Sequence, residues 1–192
     1  MTIFCVHGIH TDDKDNVTAK LAPAFRQVCV EDVMVWKYGY ALALTTGLTD
    51  FLNERRAAKL AQSIKPGDSI LAHSNGCAIA YLLQNTVPLD RLILVQPALD
   101  AWRTFDNVRK VLVLYNEDDE VVAASTFGFC SAWGDMGKEG YTGTLKNVEQ
   151  WNTKAPPHLL PPYSGHSGVV EDDKHRQQWS MALARWMTNN KE

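Results

Sequence analysis

Apolar residues in this chain fall in short continuous runs, separated by longer segments of helical periodicity. The continuous runs predict strands at residues 3–6, 33–36, 69–72, 92–95, 111–115 and, least regularly, near Leu145. Helical spacing predicts helices over residues 17–28, 48–64, 76–83 and 173–187, the first of them kinked or shortened by Pro23. Continuous apolar strands that alternate with helices are typical of a parallel sheet covered on both faces. We therefore predict an α/β fold, a three-layer α/β/α sandwich around a mostly parallel sheet of about six strands.

The length and composition favour one ordinary globular domain over residues 1–192. Hydrophobic residues make up 45% of the chain and charged residues 21%. The formal net charge is only -3, and the Lys and Arg residues are dispersed. The densest basic cluster, Arg55, Arg56 and Lys59, suits the solvated face of a helix. Because phosphate binding needs concentrated positive charge, we expect no nucleic-acid partner.

The cysteine pattern and the absence of long apolar segments bear on location. The four cysteines, Cys5, Cys29, Cys77 and Cys130, show no C-x-x-C spacing and lie mostly in apolar runs. Buried, reduced thiols are the expectation. No run approaches the roughly 20 apolar residues that span a bilayer, and the first residues do not resemble a signal peptide. The sequence therefore predicts no membrane span and a cytoplasmic location.

Residues 68–80 read D-S-I-L-A-H-S-N-G-C-A-I-A and join a strand to a helix through a very sharp turn. Ser74 stands at the turn, with the small residues Ala72 and Gly76 two positions before and after it. Larger side chains at these two positions are expected to collide across the turn. A serine placed in this way presents its hydroxyl at the N-terminus of the following helix. The alternative is that Ser-Asn-Gly is simply turn chemistry between two elements.

The A-x-S-x-G pattern is one methyl group away from G-x-S-x-G, and here the chain resembles the α/β-hydrolase superfamily. The resemblance implies that Ser74 is a nucleophile. It also implies an oxyanion hole made by the backbone N–H groups of Asn75 and of Ile9, which follows the His-Gly after the first strand. Only residues 96–110 separate two predicted strands where such hydrolases insert a cap domain, so no cap is expected.

Six histidines are candidates for the base that a serine nucleophile needs: His7, His10, His73, His158, His166 and His175. His73 adjoins Ser74 but is expected to point away from its hydroxyl, and His175 fits a packed helix face. His166 lies in a loop of small residues before the last helix, where the resemblance places the base. The order serine, acid, histidine also agrees with that family. We therefore assign His166 as the predicted base.

The acid is expected in the acidic loop after the strand at residues 111–115. This loop reads Glu117, Asp118, Asp119, Glu120, Val121, Val122. The family often carries D-x-V-V here, with the aspartate turned inward and the valines packed beneath it. This favours Asp119, and Asp118 is the alternative. The other acidic residues are expected to be solvated.

Residues 123–143 contain five glycines among aromatic residues and are predicted to be a glycine-rich loop insertion. The segment is either a flexible cover over the acyl pocket or an ordinary surface loop.

Taken together, these residues predict a serine hydrolase, most simply a carboxylesterase that cleaves a small-molecule ester through an acyl-enzyme. No nucleotide loop and no metal-spaced cluster is present in the sequence, so no cofactor and no metal is expected. A lipase, thioesterase, amidase or acyltransferase would carry the same residues. A non-catalytic, hydrolase-like ligand-binding protein is the alternative from another class.

Overall fold

The structure is a computed structural model that describes residues 1–8, 16–29, 32–36, 46–121, 134–157 and 159–189. For residues 46–48 the description is limited to the backbone. Several positions named above lie outside the described residues, namely Ile9, His10, Val122, Cys130 and His158.

Six strands of the described residues form one parallel sheet in the order β2-β1-β3-β4-β5-β6. Their bounds are β1 Thr2–Val6, β2 Asp32–Trp36, β3 Ser69–His73, β4 Leu89–Val95, β5 Val108–Tyr115 and β6 Val148–Asn152. The predicted fold class and the parallel sheet are confirmed. Because all the strands point the same way, the residues that follow each of them lie along a single edge.

The sixth strand was predicted near Leu145 but begins three residues later, at Val148. It is an edge strand in which Glu149 and Gln150 are exposed and only Trp151 is buried. A strand that buries so few side chains has no continuous apolar run, which is why the apolar pattern misplaced it.

Helices cover both faces of this sheet. They are α1 Val17–Val28, α2 Thr46–Ala61, α3 Asn75–Gln84, the single turn α4 Met136–Glu139, and α5 Asp173–Thr188, which follows a short 3₁₀ turn at Gly168–Val170. The helix α2 begins and ends two to three residues earlier than predicted. None of the helices in the described ranges is both long and apolar enough to span a membrane.

The helix α1 runs through Pro23, which does not end it. Asn16 caps its start, since the Asn16 side-chain oxygen accepts the Ala19 N–H at 2.8 Å. Pro23 lies on the exposed side, while Leu21 and Phe25 are fully buried. The packing of this apolar face outweighs the one backbone hydrogen bond that proline removes.

The core divides into two layers according to the alternation of side chains along each strand. Ile70 and Ala72 of β3 face one cluster, together with residues of α2 and α3. Leu71 faces the other cluster, together with residues of α1 and α5. By the same alternation, His73 lies on the face of Leu71.

Residues 134–143, the described end of the glycine-rich segment, are not a plain loop. They contain α4, whose Met136 is fully buried. The Met136 N–H donates to Leu99 O at 2.9 Å, and the Gly137 N–H donates to Pro97 O at 3.0 Å. This part of the predicted insertion therefore packs against the segment that follows β4.

Candidate active site

Ser74 lies between β3 and α3 with a φ of 55° and a ψ of -127°. A positive φ is strained for a residue with a side chain, and it persists only where neighbours hold it. The Ser74 N–H donates to Val95 O at 3.0 Å, and Ser74 O accepts from the N–H groups of Cys77 at 3.0 Å and Ala98 at 3.3 Å. These contacts join the elbow to the end of β4, to the segment after it and to the first turn of α3, and Ser74 is only 4% exposed.

Two glycines make room for this elbow. A Cβ atom at Gly8 would lie 2.9 Å from Ser74 Cβ and 3.3 Å from Ser74 Oγ. A Cβ atom at Gly76 would lie 2.5 Å from the carbonyl oxygens of both Val6 and His7. The sequence predicts a collision across the turn itself, and this is corrected by the structure. A side chain at Gly76 would collide with the backbone at the end of β1. Both glycines bring the ends of β1 and β3 together around the serine.

We expect Gly76→Val to destabilise the protein by at least about 3 kcal/mol, because backbone carbonyl groups cannot move aside as a flexible side chain can. Urea unfolding measures the effect. Ala78→Val, on the same helix at a half-buried position, is the matched control and is expected to cost less than about 1 kcal/mol. Equal losses in the two variants would contradict the close approach.

Asp119 and His166 are in direct contact. The two carboxylate oxygens of Asp119 lie 2.8 and 3.0 Å from His166 Nδ1. The Asp119 side chain is fully buried, and that of His166 is 12% exposed. Because a carboxylate accepts hydrogen bonds, Nδ1 carries the proton and Nε2 presents its lone pair. This is the arrangement that orients an imidazole as a base.

Asp118, the alternative acid, lies at the surface and pairs with a lysine. Its side chain is 49% exposed and pairs with Lys154 Nζ at 3.0 Å. The expectation that the following valines pack beneath the acid is wrong for Val121, which is 44% exposed. The position of Asp119 is instead fixed by a backbone turn, in which the Asp119 N–H donates to Asn116 O at 3.2 Å.

His166 Nε2 is buried and has no hydrogen-bond partner among the described residues. It is not hydrogen bonded to Ser74 Oγ in this structure. The His166 ring centroid lies 4.8 Å from that of His73, the residue before Ser74, so the predicted base is adjacent to the elbow. Hydrogen bonds of catalytic groups are often long in unliganded enzymes and tighten with substrate.

Asn75 is completely buried at the first position of α3. Its side-chain amide and that of Asn53 on α2 exchange two hydrogen bonds, of 2.9 and 3.0 Å. This amide pair fixes the residue whose backbone N–H was predicted to be one half of the oxyanion hole. The other predicted donor, Ile9, lies outside the described residues.

We expect Asn53→Ala to lower the free energy of unfolding by about 1–3 kcal/mol, because it leaves the Asn75 amide buried without its partner. Urea unfolding of Asn53→Ala, Asn75→Ala and the double variant forms a double-mutant cycle. The double variant is expected to lose less than the sum of the single losses. Additive losses would show that the two amides do not stabilise each other.

Sequence reasoning missed the polar residues that follow two buried strands. Gln96, directly after β4, has a φ of 42°, and its Oε1 accepts from the Tyr163 hydroxyl at 3.2 Å. Burial raises the pKa of Tyr163 above its ordinary value. Asn116, directly after β5, donates from Nδ2 to Gly165 O at 3.1 Å. Polar residues at the carboxyl ends of apolar strands were the available signal.

The described residues contain no group of three or more His, Cys, Asp or Glu side chains placed to hold a metal ion. Cys5, Cys29 and Cys77 are buried, and burial raises the pKa of the Cys5 thiol to about 12 and that of Cys77 as well. Thiols that are protonated at neutral pH are poor nucleophiles. Among the described nucleophilic side chains, the strained elbow singles out Ser74.

Solved structures with the same architecture cover almost the whole chain. A protein from Xanthomonas campestris pv. campestris, described as a hydrolase of the α/β superfamily, superposes with a TM-score of 0.58 at 16% identity and 97% coverage of both chains. The chain has the α/β-hydrolase fold. An extracellular α/β-hydrolase from a Paenibacillus species matches with a TM-score of 0.55 at 11% identity, over 96% of this chain and 98% of that one.

A serine hydrolase involved in carbazole degradation also shares the α/β-hydrolase fold. It superposes with a TM-score of 0.56 at 11% identity, over 98% of this chain and 91% of that one. No family model and no curated protein sequence matches the chain. The likeness therefore lies in the fold, and the chemistry has to be argued from the side chains.

Proposed function

We propose that the protein is a serine hydrolase of the carboxylesterase type, with Ser74 as nucleophile, His166 as base and Asp119 as acid. The observation that carries the proposal is the buried Asp119–His166 contact of 2.8 Å beside a strained serine elbow. An aspartate that holds Nδ1–H leaves Nε2 as the proton acceptor, which is the arrangement a serine nucleophile requires.

In the proposed reaction, Ser74 Oγ attacks the carbonyl carbon of an ester while its proton passes to His166 Nε2. Asp119 stabilises the imidazolium that forms and keeps its ring in place. The tetrahedral intermediate then collapses, and the leaving alcohol takes the proton from Nε2. Water attacks the acyl-enzyme with the same base, which regenerates Ser74 and releases a carboxylic acid.

The negative charge of the tetrahedral oxygen needs donors that are already in position. The Asn75 N–H belongs to the first turn of α3, where the N–H groups have no partner within the helix. In the proposed reaction it donates to the oxyanion together with the Ile9 N–H. Donors of this kind contribute roughly 3 kcal/mol each to the transition state. The buried Asn53–Asn75 amide pair supports the proposal because it fixes one of them.

The test is incubation with a fluorophosphonate probe followed by mass spectrometry of the labelled peptide. We expect one covalent adduct, on Ser74, and turnover of short p-nitrophenyl esters. Folded protein that neither reacts with the probe nor hydrolyses the esters would instead indicate a hydrolase-like binding protein. Comparison of ester, thioester and amide substrates of equal acyl length separates the possible enzyme subclasses.

A further inference from the structure

His73 is the last residue of β3, and its ring points toward the loop that carries His166. Its strand partner is Val95, and it shares a sheet face with Leu71 and the helices α1 and α5. The side chain is only 3% exposed. The residue before the nucleophile is thus a polar ring inside the protein, next to the proposed base.

The contact between the two histidines runs from the His73 ring to the His166 backbone. His73 Nε2 lies 2.9 Å from His166 O. A carbonyl oxygen only accepts, so Nε2 carries the proton and donates it. In the neutral ring His73 Nδ1 is then bare, and it is buried without a hydrogen-bond partner among the described residues. Of the two ring nitrogens, only Nε2 has a hydrogen-bond partner among the described residues, namely the His166 carbonyl.

The neighbouring carbonyl is held in the same manner. Asn116 Nδ2 donates to Gly165 O at 3.1 Å. Gly165 has a φ of 76°, yet a Cβ atom there would meet nothing within 4 Å, so glycine is required for the backbone conformation and not for space. Two successive peptide groups of the loop are therefore fixed by side chains from the ends of β3 and β5.

His73 also stays uncharged next to a base that must become positive. Burial, together with the nearby His166 and His7, lowers the pKa of His73 to about 3, although the hydrogen bond to the His166 carbonyl opposes this shift. At neutral pH the ring is a donor that places no charge beside the imidazolium of His166. A lysine or arginine in the same place would donate as well but would oppose that charge. The low pKa also makes His73 itself a poor general base.

We propose that His73 is a positioning residue for His166: its Nε2–H holds the His166 carbonyl and so sets the direction in which the imidazole meets Ser74. The proposal rests on the function proposed above, in which His166 is the base. Without this hydrogen bond the loop around Gly165 relaxes. His166 Nε2 then no longer lies where it can accept the Ser74 proton in the proposed reaction. Misplacement by about 1 Å costs roughly a hundredfold in rate.

The test compares three variants with the wild type. His73→Gln keeps an N–H donor at about the reach of Nε2, whereas His73→Phe keeps a ring without a donor. His73→Asn introduces a polar side chain that is too short to reach the His166 carbonyl. This variant replaces His73→Phe if the phenylalanine variant does not fold. His175→Gln, at a half-exposed histidine on α5, is the control. The readouts are kcat and KM for an ester, the rate of fluorophosphonate labelling, and the downfield proton resonance of His166 Nδ1–H, assigned with Asp119→Asn.

We expect His73→Phe and His73→Asn to lose about 10- to 100-fold in kcat and in labelling rate, with little change in KM, and to shift or broaden the downfield resonance. His73→Gln is expected to stay within a few-fold of the wild type, like the control. Wild-type kcat and an unchanged resonance in His73→Phe or His73→Asn would overturn the proposal, as would equal losses in His73→Gln. Failure of the proposed function gives a different result. The fluorophosphonate probe then does not label the wild type, while the His166 Nδ1–H resonance still shows whether the His73 variants displace the imidazole.

Discussion

Replacement of Ser74 by alanine is expected to remove ester hydrolysis, with a loss in kcat of at least about 10⁴-fold. The hydroxyl oxygen is the atom that forms the acyl-enzyme in the proposed reaction, and no described neighbour offers a second nucleophile at the elbow. The protein should still fold, because the contacts that hold the elbow are made by the Ser74 backbone with Val95, Cys77 and Ala98. The substitution is not expected to relieve the backbone strain at this position, because alanine has to adopt the same positive φ.

Two measurements decide this prediction. Initial rates on a short p-nitrophenyl ester give kcat, and thermal unfolding reports on the fold. Ser63→Ala, at an exposed serine in the turn after α2, is the matched control and should keep wild-type activity. Turnover close to wild type in Ser74→Ala would end the proposed mechanism. Loss of both activity and fold would show that the hydroxyl has a structural role that its contacts do not explain.

The central part of the sheet could be predicted because each strand there is buried on both faces. Residues such as Leu71, Ile93 and Leu112 are fully buried, and a strand of that kind leaves a continuous apolar run in the sequence. The edge strand β6 buries mainly Trp151 and leaves no such run. The information that places it is its pairing with β5, which the sequence does not display locally.

The candidate site could be predicted in part for a similar reason. The loops at one edge of the sheet carry Ser74 after β3, Asp119 after β5, and His166 before the last helix. A parallel topology brings such loops together. The residues that support them could not be found in this way. His73 contacts a residue 93 positions away, and Asn53 contacts one 22 positions away. Contacts of that range depend on three-dimensional packing, and the A-x-S-x-G pattern leaves the residue type at His73 open and does not include Asn53.

The contact of His73 with the His166 loop could not be predicted from the sequence, which indicates only that the ring is expected to point away from the Ser74 hydroxyl. Alternation along β3 places the ring on the sheet face of Leu71, where Nε2 contacts the His166 carbonyl. The residue before the proposed nucleophile therefore contacts the proposed base.

Replacement of Asp119 by asparagine is expected to lower kcat by about 10⁴-fold, the second largest effect after Ser74→Ala. An asparagine amide can donate to His166 Nδ1 as well as accept from it, so the imidazole is no longer held with its proton on Nδ1. Nε2 then carries the proton in part of the population and cannot accept one from Ser74. The positive charge that forms on the ring also loses the buried carboxylate that lies 2.8 Å from Nδ1.

Asp118→Asn is the matched control, because it makes the same chemical change one residue away. The Asp118 side chain is half exposed and pairs with Lys154 on the surface, an interaction that contributes little to stability. We expect its kcat to stay within a few-fold of wild type. Steady-state kinetics of both variants, with thermal unfolding to confirm the fold, gives the ranking. The reverse ranking would transfer the role of the acid to Asp118. Near-wild-type rates in both variants would place the acid elsewhere in the chain and would contradict the role given to the Asp119–His166 contact.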